Sequence, residues 1–159
     1  MLKRLTQSGL VWLWVFVLLL LIDRVSKEWA ITHLHLYQPL GVTPFFNLTL
    51  AYNTGAAFSF LNSASGWQQG MLGGLAIAVS VVILFWLYRL KRSDRWESIA
   101  LCFILAGAIG NVLDRIYYHH VIDFLDFHIQ QWHFAIFNVA DSVICIGALM
   151  LLLRLVKLK

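Results

Sequence analysis

A chain of 159 residues is enough for one domain of ordinary size. Its 60% apolar and 13% charged residues depart from soluble domains, which sit nearer half apolar and a quarter charged, so a water-soluble globular protein is excluded. The net charge of +4 is no nucleic-acid footprint, because the basic residues gather at the ends of apolar runs; no nucleic-acid partner is expected.

The first apolar run, LVWLWVFVLLLLI after Lys3 and Arg4, has the outline of a signal peptide. No small-residue cleavage site follows and the run continues into DRVSKEWA, so a retained helix over about 9–30 is expected. Further spans are predicted at about 69–90, 97–116 and 134–153, each near the roughly 20 residues needed to cross the hydrocarbon core. Lys3 and Arg4, then Arg89, Lys91, Arg92 and Arg95, then Arg154, Lys157 and Lys159 flank these spans on one side. The connections 31–68 and 116–133 contain no Lys or Arg in their interiors. The positive-inside rule therefore predicts cytoplasmic termini, with both longer connections outside.

Those connections carry strand signals. Residues 42–60 are rich in β-branched and aromatic side chains, with a turn invited at Asn53-Thr54-Gly55. Residues 121–129 and 132–136 allow a hairpin about Gln130-Gln131. The expected fold class is an all-α integral membrane protein, four transmembrane helices in one domain over 1–159, with a small β-sheet on the outer side. Trp29, Trp67 and Trp132 suit the membrane–water interface.

Polar residues recur at one level near the outer ends of three spans. Asp23 with Lys27, and Arg24 with Glu28, are spaced i, i+4 and can pair locally; their reading as interfacial residues weighs as much as a functional one. Asn111 and Asp114 share a helix face, as do Asn138 and Asp141. Asn111, Asp114 and Arg115 read as an internal tie, and the glycines of AGAIGN as close helix packing. Asp126 is expected to face solvent. The six histidines lack metal-ligand spacing, and Cys102 and Cys145 read as packing residues, so neither metal nor cofactor is expected.

Asp123 and Asp141 resist a structural reading. Asp141 lies in an apolar run, where insertion scales put the cost of a carboxylate at roughly 2.5–3.5 kcal/mol. No cation is close to either aspartate in sequence, although Arg115 could reach one through the fold. Two carboxylates brought together outside bulk water cannot both ionise, so one keeps a proton and the pair offers a base and an acid. On residues alone a membrane aspartic hydrolase leads, ahead of a proton-coupled transporter and a non-enzymatic assembly factor. Polar groups confined to the outer side argue against transport.

Five segments then carry a resemblance: DRVSK at 23–27, NTGAAFSF at 53–60, GNVLDR at 110–115, VIDF at 121–124 and FNVADS at 137–142. In this order the chain closely resembles the lipoprotein signal peptidase family, bacterial signal peptidase II. Ile122 stands where Val is usual and Ala106 where Gly is common. The resemblance implies a multi-pass, monomeric aspartic endopeptidase of the bacterial inner membrane, active near the periplasmic face and surrounded by membrane lipids. Its substrate would be a prolipoprotein carrying a diacylglyceryl group on cysteine, cut on the amino side of that residue. By motif position Asp123 and Asp141 would be the catalytic dyad. Asn53, Gly55, Asn111, Asp114, Arg115, Asn138 and Ala140 would support the site. The family uses no metal and is a target of globomycin.

Overall fold

The structure, a computed structural model, describes residues 6–55 and 67–157. The NTGAAFSF motif beyond Gly55, together with Lys3, Arg4 and Lys159, lies outside the described residues. A 3-10 turn, Gly9–Trp12, leads into helix α1, Leu13–His33. Strands β1 (Leu40–Thr43) and β2 (Phe46–Asn53) follow, then helices α2 (Trp67–Arg89) and α3 (Arg95–Tyr118). Strands β3 (Val121–Ile129) and β4 (Trp132–His133) precede helix α4, Val139–Lys157.

Four helices among the described residues are long and apolar enough to cross a membrane. Their outward faces carry Leu18, Val25, Val81, Val82, Phe85, Leu152 and Leu155, all at least half exposed or close to it. Such a surface suits hydrocarbon, not water. Helix α3 is the centre of the bundle, buried along most of its length and packed most extensively on α4. Small residues permit that approach. A Cβ on Gly107 would run into the carbonyl of Ala140, and one on Gly147 would lie 2.6 Å from the carbonyl oxygen of Ala100. The packing expected of the AGAIGN glycines is therefore present, Gly107 against α4 and Gly110 chiefly against Asp23 of α1.

At the basic end, Gly9 N–H donates to the Leu90 carbonyl at 3.0 Å and Arg92 N–H to that of Gln7 at 2.8 Å. Arg154 there pairs with Glu97 at 2.7 Å, and Trp96 Nε1 donates to the Met150 carbonyl at 2.7 Å. An apolar cluster of Val15, Ile83, Leu87, Leu101, Cys102 and Leu105 fills this half of the bundle. Burial of Cys102 agrees with its reading as a packing residue.

At the other end lies one four-stranded antiparallel sheet in the order β1-β2-β3-β4. Asn53 pairs with Val121, Ala51 with Asp123 and Asn47 with Asp126, with a register shift between Leu48 and Ala51. Ala30, Leu34, Leu50, Ile122 and Phe124 seat the sheet on the end of α1.

The β3–β4 hairpin turns at Gln130-Gln131 as expected, with Gln130 in the left-handed region (φ 54°). The turn expected at Asn53-Thr54-Gly55 closes the end of β2, where Gly55 N–H donates to Asn53 Oδ1, and the β1–β2 hairpin itself turns at Pro44-Phe45, because Pro44 cannot donate to a ladder. Two local expectations are corrected. Strand β4 stops at His133, short of residue 136. The fourth helix starts at Val139 and not near 134, since the backbone of Phe137 bonds to Phe124 and Leu125 and is held against the sheet.

Candidate active site

Asn138 begins α4 with a reciprocal cap. Its side-chain oxygen accepts from Asp141 N–H at 2.9 Å, and an Asp141 oxygen accepts from Asn138 N–H at 3.3 Å. The N-V-A-D spacing thus places Asp141 in the first turn of a helix, where the free N–H groups favour a carboxylate. Asp23, from α1, accepts from the next free amide, Ala140 N–H, at 3.0 Å. This contact accounts for Ala140: its backbone N–H, not its methyl, ties α4 to α1.

Asp123 projects from β3 into the same region. Asn138 Nδ2 donates to its Oδ1 at 2.7 Å and Asn53 Nδ2 to its Oδ2 at 3.0 Å. Asn53 is itself held by Gly55, whose N–H donates to Asn53 Oδ1 at 3.0 Å. Asn111 Nδ2 donates to Asp141 Oδ1 at 2.8 Å, and its Oδ1 accepts from Asn138 at 3.3 Å. Asp123 and Asp141 are thereby joined through the amides of Asn138 and Asn111. Asp123 is 2% exposed. Burial and then the Asp141 charge push its carboxyl up to about 7, against the pull of Asn53, Asn138 and Lys27.

Behind the pair sits a buried ionic cluster. Lys27 Nζ lies 3.0 Å from Asp23 and 2.8 Å from Asp114, and donates to Asn111 Oδ1 at 3.0 Å. Arg24 reaches Asp23 at 3.3 Å and also pairs with Asp114. Of the two local pairs expected on α1, Asp23–Lys27 forms. Arg24 turns away from Glu28 toward the buried carboxylates, and Glu28 accepts from the Tyr118 hydroxyl at 3.4 Å. Asp114 also accepts from Ile122 N–H at 3.3 Å, which anchors β3 to α3. It is a tie, as expected. Asp23 and Lys27 are the site residues that sequence reasoning left undecided. Their i, i+4 spacing announced a pair, but nothing local announced burial to 1% exposure.

Arg115 donates to the Asn111 carbonyl at 3.1 Å and to the Gly55 carbonyl at 3.4 Å. It lines a cavity of about 470 Å³ together with Asn53, Gly55, Asn111 and Asp141 on the polar side, and Phe134, Ile136, Phe137, Ile144 and Cys145 on the apolar side. All of the sequence-predicted site residues therefore meet around this cavity or in the network behind it.

Asp126 does not face solvent. It is 1% exposed, with Thr49 donating at 2.8 Å, Asn47 at 3.5 Å and His133 Nδ1 2.8 Å away. Strand alternation does turn it from the Asp123 side, but β2 and β4 cover the face it turns to. Burial opposes its charge, yet the bonds from His133, Thr49 and Asn47 outweigh it and hold the carboxyl below its usual range.

The family model described as signal peptidase (SPase) II matches residues 15–157. The lipoprotein signal peptidase of Yersinia enterocolitica is 48% identical over 146 residues, 92% of this chain and 86% of that protein. The protein of the same name from Pseudoalteromonas atlantica is 46% identical over 159 residues, 100% of this chain and 97% of that one. Among solved structures, a bacterial membrane enzyme determined by the in meso method at 2.3 Å superposes with a TM-score of 0.82 at 28% identity, covering 92% of this chain and 88% of that one. A second, determined by the same method at 1.9 Å, gives 0.82 at 26% identity, with 92% and 93% covered.

Proposed function

The chain belongs to the signal peptidase II family, and on that premise we propose that Asp123 and Asp141 are the catalytic pair of an aspartic endopeptidase. The protein is a multi-pass membrane peptidase that removes signal peptides from prolipoproteins. The observation that carries the catalytic assignment is the joining, through Asn138 and Asn111, of the half-buried Asp141 that lines the cavity to the buried Asp123 beside it.

In the proposed reaction one carboxylate is ionised and the other protonated. The ionised group takes a proton from water as that water attacks the scissile carbonyl, and the protonated group gives its proton to the carbonyl oxygen. Collapse of the tetrahedral intermediate returns a proton to the first-used acid and transfers the other to the departing amine. Both carboxyl groups end as they began, and the pair titrates as a unit.

A helical signal peptide hides its carbonyls in hydrogen bonds, so the cut segment must unwind where protein can line it. The cavity's polar wall, Asn53, Asn111 and Arg115, supplies donors to such a segment, and its apolar wall supplies contact for side chains. The substrate is a prolipoprotein bearing a diacylglyceryl group, cut on the amino side of the lipidated cysteine, and globomycin would occupy the same cavity. The enzyme acts as a monomer in the bacterial inner membrane, with cytoplasmic termini and the site near the periplasmic face. The basic residues at the opposite end of the bundle support this orientation.

Incubation of the purified protein with lipidated and unlipidated forms of one precursor tests the reading. Cleavage of the lipidated form alone is the expected result, and absence of cleavage with both would end it.

A further inference from the structure

Each of the three asparagines around the carboxylates has its carbonyl end held by a group that can only donate. Asn53 Oδ1 faces Gly55 N–H, Asn138 Oδ1 faces Asp141 N–H, and Asn111 Oδ1 faces the Lys27 ammonium. An amide whose oxygen is claimed in this way must turn its NH2 to the other side. Those NH2 groups point at Asp123 Oδ2, Asp123 Oδ1 and Asp141 Oδ1, and the remaining oxygen, Asp141 Oδ2, takes Asn138 N–H. All four carboxylate oxygens therefore meet a donor.

Two of the three carbonyl ends are fixed by backbone amides. The third is held by side chains alone. Lys27, which is 1% exposed and in contact with Asp23 and Asp114, donates at 3.0 Å. Asn138 Nδ2, whose shorter bond goes to Asp123, adds a longer contact at 3.3 Å. We infer that Lys27 is a positioning residue for the proposed reaction: its ammonium fixes the rotation of the Asn111 amide, so that Asn111 presents a donor to Asp141. A flipped Asn111 would set its oxygen against Asp141 Oδ1, and the pair could hold that contact only with a proton between them.

The charged groups facing the pair are Lys27 and Asp23 from α1 and Arg115 from α3, with Asp114 of α3 behind them on Lys27 and Arg24. Asp23 and Asp114 are already neutralised by Lys27 and Arg24, and Arg115 spends its bonds on two carbonyls. The two carboxylates cannot donate and Arg115 is turned to main-chain oxygens, so none of these replaces Lys27 at Asn111 Oδ1.

The inference rests on the aspartic reading above, and its test separates the two. Cleavage of lipidated precursor is followed against pH for Lys27→Met, Lys27→Arg and Asn111→Leu in lipid, with melting curves of each protein. Lys27→Met is expected to raise the acid limb of kcat/KM by about one pH unit, roughly a tenfold loss below that limb, with KM little changed. Lys27→Arg, which keeps a donor-only cation, should bring the limb back. Asn111→Leu keeps every charge and removes the whole amide, the donor to Asp141 together with the acceptor of Lys27 and Asn138, so it should raise the limb as Lys27→Met does. A folded Lys27→Met enzyme with an unmoved limb overturns the inference. So does an unmoved limb in Asn111→Leu, which decides the matter should Lys27→Met fail to fold. Turnover by Asp141→Asn in the same series would instead sink the aspartic reading itself.

Discussion

Asp123 carries two amide donors yet titrates near 7, because burial and the neighbouring Asp141 outweigh them. Its folded-state pKa stands above that of a free carboxyl, near 4, so the unfolded chain releases this proton first. Stability must then fall as pH rises from about 4 to about 7. Asp123→Asn cannot ionise; its melting temperature relative to the wild type should climb across that window and level off above it. Both Asp123→Asn and Asp141→Asn should abolish nearly all cleavage while leaving a folded protein that binds lipidated precursor. The double variant should be little worse than either single one, since residues acting as a unit are not additive. Substantial turnover by either single variant would remove the pair from the chemistry. Asp114→Asn makes the opposite case. It keeps the shape of a side chain that ties Lys27, Arg24 and Ile122 together, so reduced stability with measurable cleavage is expected. Complete inactivity in a folded Asp114→Asn protein would move catalysis toward Asp114.

The elements meet at the start of α4, where one short sequence serves as cap and as site. Asn138→Ala removes the cap, a loss of about 0.5–2 kcal/mol, and also the donor to Asp123. Asn138→Asp separates the two roles. An aspartate still accepts from Asp141 N–H, so the helix should survive, but an oxygen replaces the NH2 that faces Asp123. Near-normal melting with lost cleavage is the expected result, and normal cleavage would show that the donor is dispensable. The α3–α4 seam depends on having no side chain at Gly107 and Gly147, where a Cβ would meet main-chain oxygens that cannot swing aside. Gly107→Ala should therefore lower the melting temperature and, by moving Ala140, disturb the cap as well. An unchanged melt and activity would mean that the seam yields at no cost.

At the scale of the molecule, one end of the bundle is basic and tied by Glu97–Arg154, and the other bears the sheet and the carboxylates. A membrane-impermeant thiol reagent should label Gln38→Cys from outside the cell, and a reporter joined after Lys159 should stay in the cytoplasm. Labelling of Gln38→Cys only after the membrane is broken would reverse the orientation and put the site on the cytoplasmic face.

Spans, sheet hairpin and the flagged aspartates could be read along the chain because each depends on local pattern: apolar length, alternation, and charge where lipid tolerates none. The start of the fourth helix could not, since an apolar run does not reveal that Phe137 is held against the sheet until Asn138 caps the turn. Asp126 is the plainest failure, for alternation says which face a side chain takes but not what covers that face. Nor could the sequence place Lys27 against Asn111, 84 positions away. Burial and partnership across elements are properties of packing, and only the assembled bundle supplies the desolvation that makes these charges pair.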